Sequence, residues 1–425
     1  MIKRCLCIAF IIGLPAIKGF GQMQPDTIYQ NNIHTVLIHP LSKPLSLPVI
    51  SLNEMLPLVV SFDDFTHQYQ DYYYSLELRN ADWSPVAMTA FDYLQGFNQN
   101  KITQFSVSSI ATQRYYHYEF SFPNAQIRPT QSGNYLLKVF KNGNDNELVF
   151  TRRFFVTEDQ ASIAASVQEP FDATISKTHQ KIQLQVDVKK IPFFQSDQMK
   201  TTVIQNYRYN DALTELQPTF MRGDYVEYNS ENIFIFPAGK EARWLDLQNL
   251  RLKSDRVANI IATPDKTIVN VKPDLSRANT AYYTFNDLNG NFLITNTESL
   301  QSENQNDYAI VNFTYVPKDK IEFLGQHLYL EGALTNNILN KEAEMQLDPV
   351  SGVYKKSLLL KQGYYSYNYI LRDNEAPNYR NDFTATEGNH WETENNYSLL
   401  VYYRPSGARH DHIIGFVTIN SKQNW

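Results

Sequence analysis

Cysteine is almost missing from this chain. The only two among its 425 residues, Cys5 and Cys7, sit at the very start. Once a leader holding them is removed, no disulfide framework, thiolate metal site or catalytic thiol can form. Stability must then come from apolar cores. Long hydrophobic runs are equally scarce. In the opening MIKRCLCIAFIIGLPAIKGFGQ, Lys3 and Arg4 precede an apolar stretch from Cys5 to about Ile17, with Gly19 and Gly21 before Gln22. That is the layout of a secretory signal peptide over residues 1–22. The stretch falls short of the roughly 18 apolar residues that span a bilayer, and no later segment is both long and apolar enough. Both cysteines lie inside the leader rather than at its end, which argues against a lipid anchor. The expectation is an exported mature chain that is soluble.

Charge of one sign is lacking too. The 38 basic and 44 acidic residues nearly balance and form no dense Lys/Arg run, so nucleic acid is not an expected partner. The motifs G-x-S-x-G, Walker-type phosphate loop, G-x-G-x-x-G and H-E-x-x-H are all absent, and with them the strong signatures of hydrolases, nucleotide sites and zinc helices. No catalytic, cofactor-binding or metal residue is assigned, and no enzyme or cofactor is expected. His410-Asp411-His412 comes nearest to a metal cluster, but on a strand the two histidines would point one way and Asp411 the other. It reads as a solvated turn after Pro405-Ser406-Gly407. Asp63, Asp64 and Asp71 lack the spacing of a calcium loop and read as turn residues. Trp83, Trp244, Trp391 and Trp425 are scattered, as anchors would be and a sugar-stacking platform would not.

Aromatic residues are what the chain does have: 28 Tyr, 25 Phe and 4 Trp, against 16 Gly and 19 Pro. Tyr and Phe fit a pleated, half-buried surface. Ile182, Leu184, Val186 and Val188 alternate with polar residues, as do Tyr365, Tyr367 and Tyr369, and more loosely Tyr135, Leu137 and Val139 within GNYLLKVF. A period of two predicts strands with one dry face. Asn142-Gly143 and Asn289-Gly290 mark hairpins, the latter between Tyr282–Phe285 and Phe292–Ile294. A third is predicted at Pro349–Gly352, and Tyr354–Leu360 is predicted to turn at Lys361-Gln362-Gly363 into Tyr364–Leu371. The fold class is therefore all-β, in tandem antiparallel β-sandwich, immunoglobulin-like domains.

The ~400 residues beyond the leader exceed one core. Polar stretches at Thr157–Gln160 and Glu298–Asp307 divide them into an N-terminal domain over 23–157, a middle domain over 158–300 and a C-terminal domain over 301–425. Five prolines between Gln24 and Pro57 predict an extended arm ahead of the first sandwich.

Read in order, Asn80-Ala81-Asp82-Trp83, Asp92–Phe97, Tyr115–Tyr118, Phe122-Pro123-Asn124, SGNYLLKVF (132–140), RRFFV (152–156), FPAGKEARWLDL (236–247) and LKQGYYSYNY (360–369) resemble the plug-protein family of the type IX secretion system. The likeness covers nearly the whole mature chain. One departure is Lys240-Glu241-Ala242-Arg243, where the family pattern leads one to expect an Asn-Glu-Phe-Arg-like run. The resemblance implies a periplasmic, monomeric, non-enzymatic protein of Bacteroidota-type bacteria. Its partner would be the outer-membrane type IX translocon barrel, whose periplasmic mouth it seals when no cargo is present. It would reach the membrane through the barrel and not by an anchor of its own. The partner-binding residues are not readable from the sequence. The last domain, with YLEGALTNN at 329–337, also resembles the early-set immunoglobulin-like modules that accompany glycogen-branching enzymes. That likeness implies glycan binding as the alternative, although Asn336 and Asn337 stand where those modules typically carry an aromatic.

Overall fold

The computed structural model describes residues 25–109, 111–192, 195–297, 305–373 and 381–422. The signal peptide assigned to 1–22 lies outside them, as do Trp425 and part of the stretch 298–307. Strands dominate, and helix is confined to short turns such as Ala90–Tyr93. No helix among the described residues is long and apolar enough to cross a membrane. The all-β reading holds.

The strands build three sandwich cores. In the first, the sheet Ile33–Pro40, Leu58–Asp64, Tyr116–Phe122, Gln104–Val107 faces the sheet Val49–Ser51, Leu148–Thr157, Gly133–Lys141, Tyr72–Arg79, Asn100–Lys101. Alternation sets the inner face: Tyr135, Leu137 and Val139 enter the core with Phe62, Tyr72 and Phe154, and their burial removes roughly 150–250 Å² of surface per aromatic ring from water. Asn142 and Gly143 both take positive φ and join Gly133–Lys141 to Leu148–Thr157 as an antiparallel pair. The proline-bearing arm runs along the same strand. Tyr29 N donates to Val149 O and Thr151 N to Thr27 O, and Val49–Ser51 pairs further on in parallel.

The middle sandwich is built from two distant parts of the chain. One sheet contains Ser162–Gln168, His179–Asp187, Tyr225–Tyr228 and Phe220–Arg222; the other runs Leu213–Leu216, Met199–Gln205, Asn396–Tyr403, His412–Asn420. Ile182, Leu184, Val186 and Val188 are buried against Tyr397, Leu399 and Val401. A division at residue 300 does not follow this pairing, because the last two strands hydrogen-bond to Met199–Gln205 and to each other. Period-two patterning says which face of a strand is dry but not which sheet it joins.

The third sandwich lies in the chain between those two parts. One sheet is centred on Gly363–Asp373, paired with Arg243–Asp246, Phe292–Ile294 and Gln326–Glu331. The other contains Val257–Ala262, Thr267–Val271, Tyr308–Val316, Val353–Lys361 and Gln346–Asp348. The turn at 349–352 makes the expected hairpin. Lys361-Gln362-Gly363 does not: Val353–Lys361 pairs with Tyr308–Val316, so the turn carries the chain from one sheet to the other. Asn289 and Gly290 do turn with positive φ, but the residues before them form no strand. Tyr282 instead stacks on His390 at 4.0 Å and donates to Glu241.

Candidate functional site

Several of the residues singled out from the sequence lie at joints between the sandwiches. At the joint between first and third, Asp63 Oδ2 accepts from Lys361 Nζ at 2.6 Å and from Tyr308 OH at 2.5 Å. Its other oxygen lies 2.6 Å from His117 Nδ1. Burial pushes the Asp63 carboxyl up, but Lys361 and His117 outweigh it and hold it below the usual carboxylate range. Tyr115 donates to Asn306 O across the same seam. Asp64 accepts from Asn32, Thr66 and Tyr72, and Asp71 pairs with Lys101. None of the three aspartates is an idle turn residue.

Between first and middle, His410-Asp411-His412 is not a solvated turn, because the first sandwich packs over it. Ala81 N donates to Asp411 Oδ2 at 2.9 Å, and His412 Nδ1 lies 2.8 Å from Glu158. His410 is 4% exposed; burial, with His412 beside it, brings its imidazole down to about 4. Trp83 packs edge-on to Phe155 and Tyr209, and Tyr402 donates to Asn134. Among the described residues no group of three or more His, Cys, Asp or Glu is placed to hold a metal ion.

Between middle and third lies the FPAGKEARWLDL segment. Arg243 donates to Glu387 at 2.9 Å and to Asp274 at 2.8 Å. Arg277 reaches the other Glu387 oxygen at 2.7 Å, and Tyr367 and Tyr369 both donate to Asp274. Burial pushes Glu387 up, yet Arg243 and Arg277 prevail and hold its carboxyl at about 2. Lys240 donates to the carbonyls of Arg277 and Thr280. Thus the positions that depart from the expected family run still act as mortar. This buried network ties the Glu387 loop, which leads into the last strands of the middle sandwich, to the strands of the third, and removing one partner of such a pair is costly.

Several aromatics are exposed, Phe171, Tyr283 and Phe220 among them, and two of the most exposed share one short segment of the first sandwich. Phe91 is 88% exposed and Phe97 67% exposed, on a segment whose remainder is pinned. Tyr93 and Leu94 are buried, Leu94–Gly96 pairs with Ile127–Pro129, Thr89 N donates to Asp92 at 2.8 Å and Asn100 holds the Phe97 carbonyl. An anchored segment that presents bare rings is suited to docking, since ordering it costs little on association. Sequence alone gave no sign of which aromatics face out, because Tyr and Phe also fill the cores.

Residues 33–158 match the family model for the type 9 secretion system plug protein 1st domain. Over those residues the chain carries a type 9 secretion system plug first domain. Phe91 and Phe97 lie inside the matched plug domain, as do Asp63, Asn80–Trp83 and Arg152. A crystal structure of a hypothetical protein from Parabacteroides merdae is similar over 92% of this chain and 98% of its own, at 29% identity and a TM-score of 0.88. The arrangement of this chain is therefore shared beyond its first domain. No curated protein matches the sequence.

Proposed function

We propose that this protein is a periplasmic plug, exported by its leader, which binds as a monomer to the periplasmic mouth of the type IX outer-membrane translocon barrel and seals it when cargo is absent. The plug-family first domain carries this reading. A barrel wide enough for folded cargo leaks solutes unless its mouth is covered, and three sandwiches locked by buried joints provide a stiff cover without catalysis. The docking face is assigned to the Phe91 and Phe97 segment. Aromatic residues are enriched at protein–protein interfaces relative to the rest of the surface.

The test is cross-linking and pull-down of the tagged protein from gently solubilised envelopes, comparing wild type with a Phe91→Ser/Phe97→Ser variant of unchanged melting temperature. Wild type should recover a large outer-membrane barrel, and the variant about tenfold less, as removal of interface anchors does. Equal recovery by the variant would move the docking face elsewhere. Failure of wild type to recover any barrel, with outer-membrane permeability unchanged on deletion, would sink the plug reading.

A further inference from the structure

An opening of about 580 Å³ lies where all three sandwiches meet. It is within the about 300–1,000 Å³ typical of small-molecule sites. Its walls are mainly apolar: Leu45 and Leu47 from the arm, Phe155 from the first sandwich, Tyr207 from the middle and Phe292 and Ile338 from the third. Arg152 also lines this opening, and it is 5% exposed.

Arg152 differs from the other buried cations of the chain. Lys181, Arg208, Arg243 and Lys361 are equally buried, and each has a carboxylate within ion-pair distance. Arg152 has none among the described residues. Its guanidinium donates to the carbonyls of Thr151 at 3.0 Å and Val36 at 3.4 Å, and to the Asn336 side-chain oxygen at 2.7 Å, all neutral acceptors. The nearby Asp26 is committed to Arg153. Arg153 in turn lies over the rings of Tyr209 and Trp83. A buried guanidinium left with neutral partners is costly, and burial brings its pKa down to about 10. With Arg153 and Asp26 cancelling, the site carries one net positive charge. It therefore matches a singly charged head rather than a phosphate monoester, which carries nearly two charges.

We propose that this cleft binds an amphipathic carboxylate, with Arg152 and Asn336 holding the head and the apolar walls taking the body. A molecule seated there would touch all three sandwiches and so brace the body that the joints already hold. Calorimetric titration of the intact mature protein with decanoate, decan-1-ol and acetate tests this. Decanoate should bind saturably at one site per chain, with decan-1-ol and acetate each at least tenfold weaker. Arg152→Gln should lose tenfold or more for decanoate and little for decan-1-ol. Should Arg152→Gln fail to fold, Ile338→Trp, which fills the cleft from a half-exposed position, should abolish decanoate binding while the protein stays folded. Equal affinity for acid and alcohol, no saturable binding, or undiminished binding in a folded Ile338→Trp protein would each overturn the proposal. None of these outcomes depends on the translocon.

Discussion

Lys361 of the third sandwich places its ammonium 2.6 Å from the carboxylate of Asp63 in the first, and both side chains are only 1% exposed. The residues lie 298 positions apart, so this contact exists only when the two sandwiches are docked. Breaking a buried pair from one side leaves an uncompensated charge, which costs about 3–5 kcal/mol. Lys361→Met should therefore separate the unfolding of the first sandwich from that of the rest. Urea unfolding followed by fluorescence would then show two transitions where wild type shows one. A single transition at unchanged midpoint would mean that the pair does not couple the sandwiches.

His410 gives the joint between first and middle a defined pH dependence. Its folded value is about 4 against an ordinary 6.5, through burial first and then the neighbouring His412, with Asp411 and Glu158 pulling weakly the other way. Between these values the unfolded chain binds more protons at this position than the folded chain, so stability rises with pH across the window. The contribution is complete above about pH 6.5 and lost as pH falls toward 4; it is on the order of 2–3 kcal/mol. His410→Leu should flatten this part of the stability profile relative to wild type. Parallel profiles from pH 4 to 6.5 would exclude His410 as its source.

Gly96 decides how Phe97 is displayed. It sits at φ +104, and a Cβ there would collide with the Gln126 carbonyl. Only glycine takes this conformation without strain. Gly96→Ala should lower stability by more than about 1 kcal/mol and open the segment around Phe97 to protease. Brief chymotrypsin digestion would reveal new cleavage there. An intact segment with an unchanged melting temperature would show that the strand Leu94–Gly96 tolerates the shift.

Strand faces were legible where one side is wet: Ile182, Leu184 and Val186 are buried while Gln185 between them is exposed, as their spacing predicts, whereas on the strand of Tyr365, Tyr367 and Tyr369 the alternating Ser366 and Asn368 are buried too. Partnership was not legible. Lys361-Gln362-Gly363 has the composition of a tight hairpin, and nothing local says that it crosses between sheets. His410-Asp411-His412 reads as polar and hence wet, whereas Ala81 and Glu158, hundreds of residues away, make it dry. Likewise Arg152 looks like any strand arginine until the edges of three sandwiches close around it. Charge in a sequence carries no burial signal of its own; only the long-range pairing supplies one.

That pairing makes the middle sandwich the test of the whole topology. Its sheet centred on Met199–Gln205 needs Asn396–Tyr403 on one side, and His412–Asn420 beyond that. Tyr397, Leu399, Val401 and Ile414 supply a large part of its core. A chain ending at residue 300 keeps every residue of the first sandwich yet removes those two strands. The middle residues then retain only the short pair with Leu213–Leu216 on that sheet, and a two-stranded ribbon is marginal in water. Limited trypsin digestion of this truncated chain should leave one resistant fragment ending at Lys177, the first tryptic site past the strand Leu148–Thr157, with everything after it degraded. A second resistant fragment spanning 158–300 would show that the middle sandwich folds without the C-terminal strands, and the sequence-based boundary at 300 would then mark a true folding unit.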